Sequence, residues 1–178
     1  FSPADCVETV KVALAAVNHH ESVYIRLTGG ARNPQVYRED YSYEIGKANT
    51  LREGNDITII AAGTMVYVSL EAADILLEQG ISATVVNMHT IKPIDTSMIE
   101  KACESSKLIV TVEEHSNIGG LGSDVAEYKA TLKNPPSQFF IGLPDNHGKA
   151  GEYKDLLEKH GLTAIQIAKG IVNQYERV

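Results

Sequence analysis

Asp56-Ile57-Thr58-Ile59-Ile60-Ala61-Ala62-Gly63-Thr64 is the stretch on which the fold turns. Its apolar residues run together instead of alternating, and Gly63 ends the run. Residues 65–79 then follow a helical period. Val66, Ser69, Leu70, Ala73, Leu76 and Leu77 share one face, Glu71, Asp74 and Glu78 lie opposite, and Gly80 closes the helix. Residues 83–88 are a second apolar run. Strands that are apolar on both sides are covered on both sides. The pattern therefore predicts parallel strands sandwiched between helix layers.

The same alternation continues toward the C-terminus. Asp95 caps a helix to about residue 105, and residues 107–113 form a third strand. Gly119-Gly120-Leu121-Gly122 opens a helix that ends before Asn134-Pro135-Pro136. Residues 138–143 are a fourth strand, and residues 152–160 a short helix closed by Gly161. Thr163 and Gln166 are spaced as a capping box for the last helix. Its apolar face carries Ile165, Ala168, Ile171, Val172 and Tyr175. Toward the N-terminus, Ser2-Pro3-Ala4-Asp5 reads as a helix start with Ser2 as the cap. Val7, Val10, Leu14 and Val17 form its stripe, and residues 22–27 read as a short buried strand. Residues 28–55, rich in turn formers, read as a linker with one extended piece over 45–51.

Composition removes several classes. Sixteen Lys and Arg against 23 Asp and Glu give a net charge of −7, with no basic cluster to hold a nucleic acid. No apolar run approaches the roughly 20 residues of a membrane span. Phe1 to Asp5 lacks the basic and apolar regions of a secretion signal. The first residue is not Met, and a trimmed or partial chain is expected on that ground. Two distant cysteines, Cys6 and Cys103, make neither a disulfide framework nor a zinc site. Both are expected as small apolar core residues, in a reducing cytoplasm.

Four features could carry chemistry. Gly119-Gly120-Leu121-Gly122 precedes a helix, where free N–H groups and the helix dipole suit an anion; it equally suits a tight turn that brings the helix close to the sheet. It lacks the third glycine of a dinucleotide fingerprint and the Lys of a Walker loop. Glu113-Glu114-His115 ends the third strand, on the sheet edge where open α/β folds bind ligands, with Thr64, His89, Asp145 and His147 expected on the same edge. A histidine beside carboxylates can do acid–base work, or the acids can serve loop backbone and interfaces. Arg26 and Arg32 flank the turn at Thr28-Gly29-Gly30. Their guanidinium forks suit phosphate, and either could also be a plain surface charge. The His, Asp and Glu spacings match no metal motif.

Several segments fall, in order, into the pattern of one family. Val23-Tyr24-Ile25-Arg26 and the run Leu51-Arg52-Glu53-Gly54-Asn55-Asp56-Ile57-Thr58-Ile59-Ile60-Ala61-Ala62-Gly63-Thr64 come first. Asn87-Met88-His89-Thr90-Ile91-Lys92-Pro93-Ile94-Asp95, Val112-Glu113-Glu114-His115-Ser116-Asn117-Ile118-Gly119-Gly120-Leu121-Gly122-Ser123 and Gly142-Leu143-Pro144-Asp145 follow. Together they resemble the C-terminal region of transketolases over nearly the whole chain. The resemblance implies an α/β fold: a mostly parallel open sheet of about five strands, one edge strand antiparallel, with helices on both faces. It implies residues 1–28 as the last helix and strand of the thiamine pyrimidine-binding domain, 29–55 as linker and 56–178 as the C-terminal domain.

The resemblance also implies an activity, namely two-carbon ketol transfer between sugar phosphates with thiamine diphosphate and a divalent metal. In split members of the family this chain looks most like the second subunit. Its implied partners are a thiamine-diphosphate-binding N-terminal subunit or domain, and a second copy as a homodimer. The family's metal and diphosphate motif and its ring-activating glutamate have no match here, so no cofactor, metal or catalytic residue is expected on this chain alone. Arg26 matches the arginine that contacts the sugar phosphate. His115, Glu114, Gly119, Gly120 and Gly122 are expected at a ligand edge or an interface. Deoxyxylulose-phosphate synthases and the beta subunits of 2-oxo-acid dehydrogenases share this domain. The stretch after Arg26 differs from the Arg-Tyr-Pro-Arg-Gly of the former, and the latter lack this arginine. A stand-alone module that binds small anions is the rival from another class, and a dinucleotide-binding dehydrogenase is more distant.

Overall fold

The computed structural model describes residues 1–28 and 33–178. Five strands form one sheet: β1 Asn49–Arg52, β2 Ile57–Ala61, β3 Ala83–Asn87, β4 Leu108–Ser116 and β5 Ser137–Leu143. Their spatial order is β1-β3-β2-β4-β5, and only β1 runs antiparallel, against β3. The helices are α1 Cys6–Val17, α2 Met65–Glu78, α3 Thr96–Ser105, α4 Leu121–Lys129, α5 Tyr153–Lys159 and α6 Ala164–Tyr175. The mostly parallel α/β sheet expected from the apolar runs is thus present, and part of the 29–55 stretch serves as its antiparallel edge.

Every residue of β2 and β3 is buried. Period-two geometry divides β2 between two cores. Ile57, Ile59 and Ala61 face Met65, Val66, Ala72, Ala73 and Leu76 of α2 and Ile167, Ala168 and Ile171 of α6. Ile60 and Ala62 face Ile99 and Ala102 of α3 and Leu121 and Val125 of α4. An aliphatic side chain buried this fully contributes about 1.5–3 kcal/mol. Helix starts also follow local chemistry. Asp95 accepts from Met98 N at 3.1 Å, and the Thr163 hydroxyl accepts from Gln166 N at 3.4 Å.

The N-terminal segment differs from the expectations in four ways. The cap of α1 is Asp5, not Ser2, and its Oδ1 accepts from Glu8 N at 2.8 Å. The apolar stripe of α1 is not core: Val10, Leu14 and Val17 are 59%, 63% and 82% exposed, because no described element packs over them. Residues 22–27 are extended but form no strand, and Val23, Tyr24 and Leu27 are exposed. Their backbone meets only that of Phe1, through Arg26 N to Phe1 O at 2.8 Å and Phe1 N to Tyr24 O at 2.6 Å. A strand needs neighbours on which to form a ladder, and here it has one residue. Finally, Cys6 is exposed on α1, whereas Cys103 packs against the α3–α4 core. Two further apolar residues face outward, Leu77 on α2 and Ile165 on α6; Ile167 takes the place expected for Ile165.

What ties α1 to the sheet is a buried polar cluster. Glu8 is fully buried, and its carboxylate accepts from Ala4 N at 2.6 Å, from Asn87 Nδ2 at 2.9 and 3.0 Å, and from the Tyr41 hydroxyl at 3.0 Å. Asp5 Oδ2 accepts from Val36 N and Tyr37 N at 2.7 and 3.0 Å. Tyr37 and Tyr41 stack with ring centroids 3.7 Å apart, and the Tyr37 hydroxyl also accepts from Asn87 at 2.8 Å. Burial raises the Glu8 carboxyl above its usual range, against the opposing pull of its Asn87, Ala4 and Tyr41 bonds. The cluster joins α1, residues 36–41 and the end of β3 into one body.

Candidate functional site

The strand order fixes where a cleft can form. From β2 the chain moves through α2 to β3 on one side, and from β4 through α4 to β5 on the other. The loops leaving the carboxyl ends of β2 and β4 therefore diverge, and a crevice opens between them. It encloses about 800 Å³. The walls come from Ala62–Thr64 after β2, Glu113–His115 at the end of β4, the turn 119–121, the loop 91–93 and the extended segment 21–28.

Most of the expected residues meet there. Arg26, Glu114, His115, Gly119 and Gly120 all line the cleft, together with Thr64 and Glu113. Four do not. Gly122 lies behind it, where an added Cβ would sit 2.5 Å from Phe140 Cδ1 and 2.9 Å from Thr111 Oγ1. His89 is buried beneath Tyr43, with ring centroids 4.4 Å apart, and its Nδ1 lies 3.0 Å from the Thr90 hydroxyl. Asp145 and His147 are exposed on the loop after β5, away from the cleft walls. Arg32 and the Gly29-Gly30 turn lie outside the described residues.

The two adjacent glutamates have separate tasks. Glu113 is buried, and its Oε2 and Oε1 accept from Leu121 N and Gly122 N, each at 2.8 Å. The N-terminal N–H groups of α4 therefore already hold an anion, which belongs to the chain itself. Gly120 makes this approach possible, because a Cβ there would run into the Glu113 carboxylate and lie 2.9 Å from Ser116 O. The glycine turn is thus a close-packing device, and a dissolved anion would have to displace Glu113 to use it. Local sequence carries no sign of this cap, since the carboxylate comes from eight residues before the helix.

Glu114 faces the other way. Its Oε2 accepts from the Thr64 and Tyr153 hydroxyls, both at 2.7 Å, and its carbonyl accepts from Arg26 Nη2 at 2.9 Å. Thr64 stands at the N-cap of α2 but makes no capping bond with its side chain, because its hydroxyl is turned to Glu114. Burial and the bond to Glu114 push the Tyr153 hydroxyl up to about 12, so it remains a donor at neutral pH. Tyr153 was not visible as a site residue in the sequence. It lies 39 positions from Glu114, in a helix with no buried residue of its own.

The cleft offers a half-buried guanidinium that has one bond to the protein and further N–H donors to spare, beside an exposed imidazole. It suits an anionic group on a small polar ligand. It does not suit a diphosphate held through a metal. Among the described residues no three His, Cys, Asp or Glu side chains converge, and the one helix N-terminus in the walls is filled by Glu113. Among the described residues no helix is long and apolar enough to cross a membrane.

Comparison with known proteins gives the same frame. The family model for the transketolase C-terminal domain matches residues 46–167. One of the two subunits of an apulose-4-phosphate transketolase from Phocaeicola vulgatus is 42% identical over 168 residues, 94% of this chain and 53% of that protein. A putative transketolase C-terminal section of Methanocaldococcus jannaschii is 39% identical over 180 residues, 99% of this chain and 55% of that protein. A solved structure described as a split gene transketolase, inactive beta4 tetramer, superposes with a TM-score of 0.91 at 39% identity, covering 97% of this chain and 56% of that one. The chain therefore spans about half the length of the relatives it matches. By sequence and by fold, this chain belongs to the transketolase C-terminal domain family.

Proposed function

We propose that the chain is the C-terminal part of a thiamine-diphosphate-dependent transketolase, and that its main work is assembly. It forms the wall of a sugar-phosphate site but holds no cofactor by itself. In this reading residues 1–28 are the tail of the pyrimidine-binding domain, and residues 56–178 are the C-terminal domain, joined by 29–55. The observation that carries the reading is the outer face of α1 with the segment after it. Val10, Leu14, Val17, Tyr24 and Leu27 are all exposed, next to a cleft that opens on the same side as Arg26. Apolar residues in a helical row, beside an extended segment with almost no ladder partner, are one half of a packed layer. The other half is the portion that grips thiamine diphosphate and its metal.

Arg26 binds the phosphate of the sugar substrate, with its guanidinium fork at the mouth of the cleft. The description of the superposed structure as an inactive beta4 tetramer supports two further points for this chain, self-association and no ketol transfer without the partner. The assembly works in the cytoplasm. A deoxyxylulose-phosphate synthase of Chlorobium luteolum is also related, at 35% identity, but this chain covers only 28% of it. Subunits of about twice this length support the split transketolase better. The test is an assay with xylulose 5-phosphate, ribose 5-phosphate, thiamine diphosphate and magnesium. The chain alone is expected to give no turnover, and addition of a thiamine-binding N-terminal subunit is expected to restore it. Turnover by the chain alone overturns the reading.

A further inference from the structure

We infer that Glu114 is a positioning residue for Arg26, held in place by Thr64 and Tyr153, and that this small network sets the affinity of the cleft for the phosphate end of a sugar phosphate. The inference rests on the reading of Arg26 as the phosphate ligand. Three elements with no other reason to agree meet on this one residue. The extended segment arrives through Arg26 Nη2 on the Glu114 carbonyl at 2.9 Å. The start of α2 arrives through the Thr64 hydroxyl, and the start of α5 through the Tyr153 hydroxyl, each 2.7 Å from Glu114 Oε2.

The network has a direction. Arginine has several rotatable bonds, and an unheld side chain samples many positions. A carbonyl fixes one N–H of the guanidinium and leaves the others pointed at the cleft, so less freedom is lost when an oxyanion arrives. That carbonyl can hold Arg26 only while its own peptide is fixed, and the two hydroxyl bonds to the side chain fix it. Glu113 cannot share the task, since both its oxygens are occupied by the N-terminus of α4. Tyr153 makes the outermost contact, and it also anchors α5, which buries nothing of its own. Thr64 gives up its helix-capping role to this contact.

The test uses the chain assembled with its thiamine-binding partner and compares a phosphorylated ketose donor with the same ketose lacking phosphate. Glu114→Ala and Tyr153→Phe are expected to raise KM for the phosphorylated donor about five- to tenfold, as loss of one or two positioning bonds does. KM for the unphosphorylated donor is expected to move far less. Glu114→Gln keeps an oxygen acceptor for both hydroxyls and is expected to restore the wild-type ratio of the two KM values. A crystal structure of the Tyr153→Phe chain is expected to show Arg26 Nη2 displaced from the Glu114 carbonyl.

Arg26→Ala serves as the reference. If it changes the ratio of the two KM values and neither Glu114→Ala nor Tyr153→Phe does, the positioning inference is overturned and the phosphate reading stands. If Arg26→Ala leaves the ratio unchanged, the phosphate reading falls and the inference with it. Equal rises in KM for both donors, not rescued by Glu114→Gln, overturn the inference as well, because they signal general loosening of the cleft.

Discussion

The sheet and the N-terminal segment bury their apolar residues in opposite ways. In β2 and β3 every side chain is covered from both faces by the chain's own helices. In α1 the apolar row looks outward, and what is buried is a carboxylate, Glu8, with its amide, hydroxyl and carboxamide partners. The sheet is complete by itself. The first helix is attached to it by polar bonds and offers its greasy side to something else. An apolar period in a sequence marks a face that will be covered; it does not say by which chain.

The largest expected effect lies in the sheet. Ile59→Ala removes a fully buried side chain from the α2–α6 core and is expected to cost about 3–4 kcal/mol in urea unfolding. Leu14→Ala, on the outer face of α1, is expected to cost under about 0.5 kcal/mol in the same measurement on the chain alone. Equal costs would erase the distinction between the two regions.

Acid probes the junction between them. Burial pushes His89 down to about 4, below the 6.5 of a free imidazole. Between those values the unfolded chain takes up a proton that the folded chain refuses. Stability is therefore present above pH 6.5 and falls as pH drops toward 4, by up to about 3 kcal/mol from this residue. Glu8 acts with the opposite sign. Its carboxyl is raised by burial, so it favours folding as pH falls through the range above 4.5. Comparing urea midpoints of wild type and His89→Asn from about pH 7 down to about pH 4.5 isolates the histidine, and the variant is expected to show the shallower loss.

The next effect is at the polar attachment itself. Glu8→Ala strips the acceptor from Ala4 N, Asn87 and Tyr41 together and is expected to destabilise by about 2–3 kcal/mol, with α1 loosened more than the sheet. Glu8→Gln keeps an acceptor oxygen and is expected to cost less. Smaller again is Gly120→Ala, about 1–3 kcal/mol, because Glu113 must move from the N-terminus of α4 to admit a methyl group. Thermal melts of both variants check these values.

The regular part of the fold was legible in the sequence for simple reasons. Unbroken apolar runs of about five residues, a helical period between them, and Asp95 and Thr163 at helix starts each act locally. The functional edge was legible as well, since Glu114 and His115 end a strand and the loop after Gly63 ends its neighbour. What stayed hidden depends on distance along the chain. Glu8 meets Asn87 across 79 positions, Tyr153 meets Glu114 across 39, and Arg26 meets Glu114 across 88. No spacing rule links such pairs. Residues 22–27 show the converse: strong strand formers stay unpaired where no neighbouring strand is present. Cys6 failed as a core residue for the same reason as Leu14, since its helix face is not covered from within.

Amide hydrogen exchange on this chain, alone and after mixing with a thiamine-binding N-terminal subunit, tests the division most directly. In the chain alone, the amides of β2 and β4 are expected to exchange only through global unfolding, and those of α1 and residues 22–27 much faster. On mixing, α1 and residues 22–27 should slow by at least about tenfold while β2 stays as it was. Slow exchange of α1 in the chain alone, equal to that of β2 and unchanged by the subunit, would contradict the claim that this helix is half of an interface.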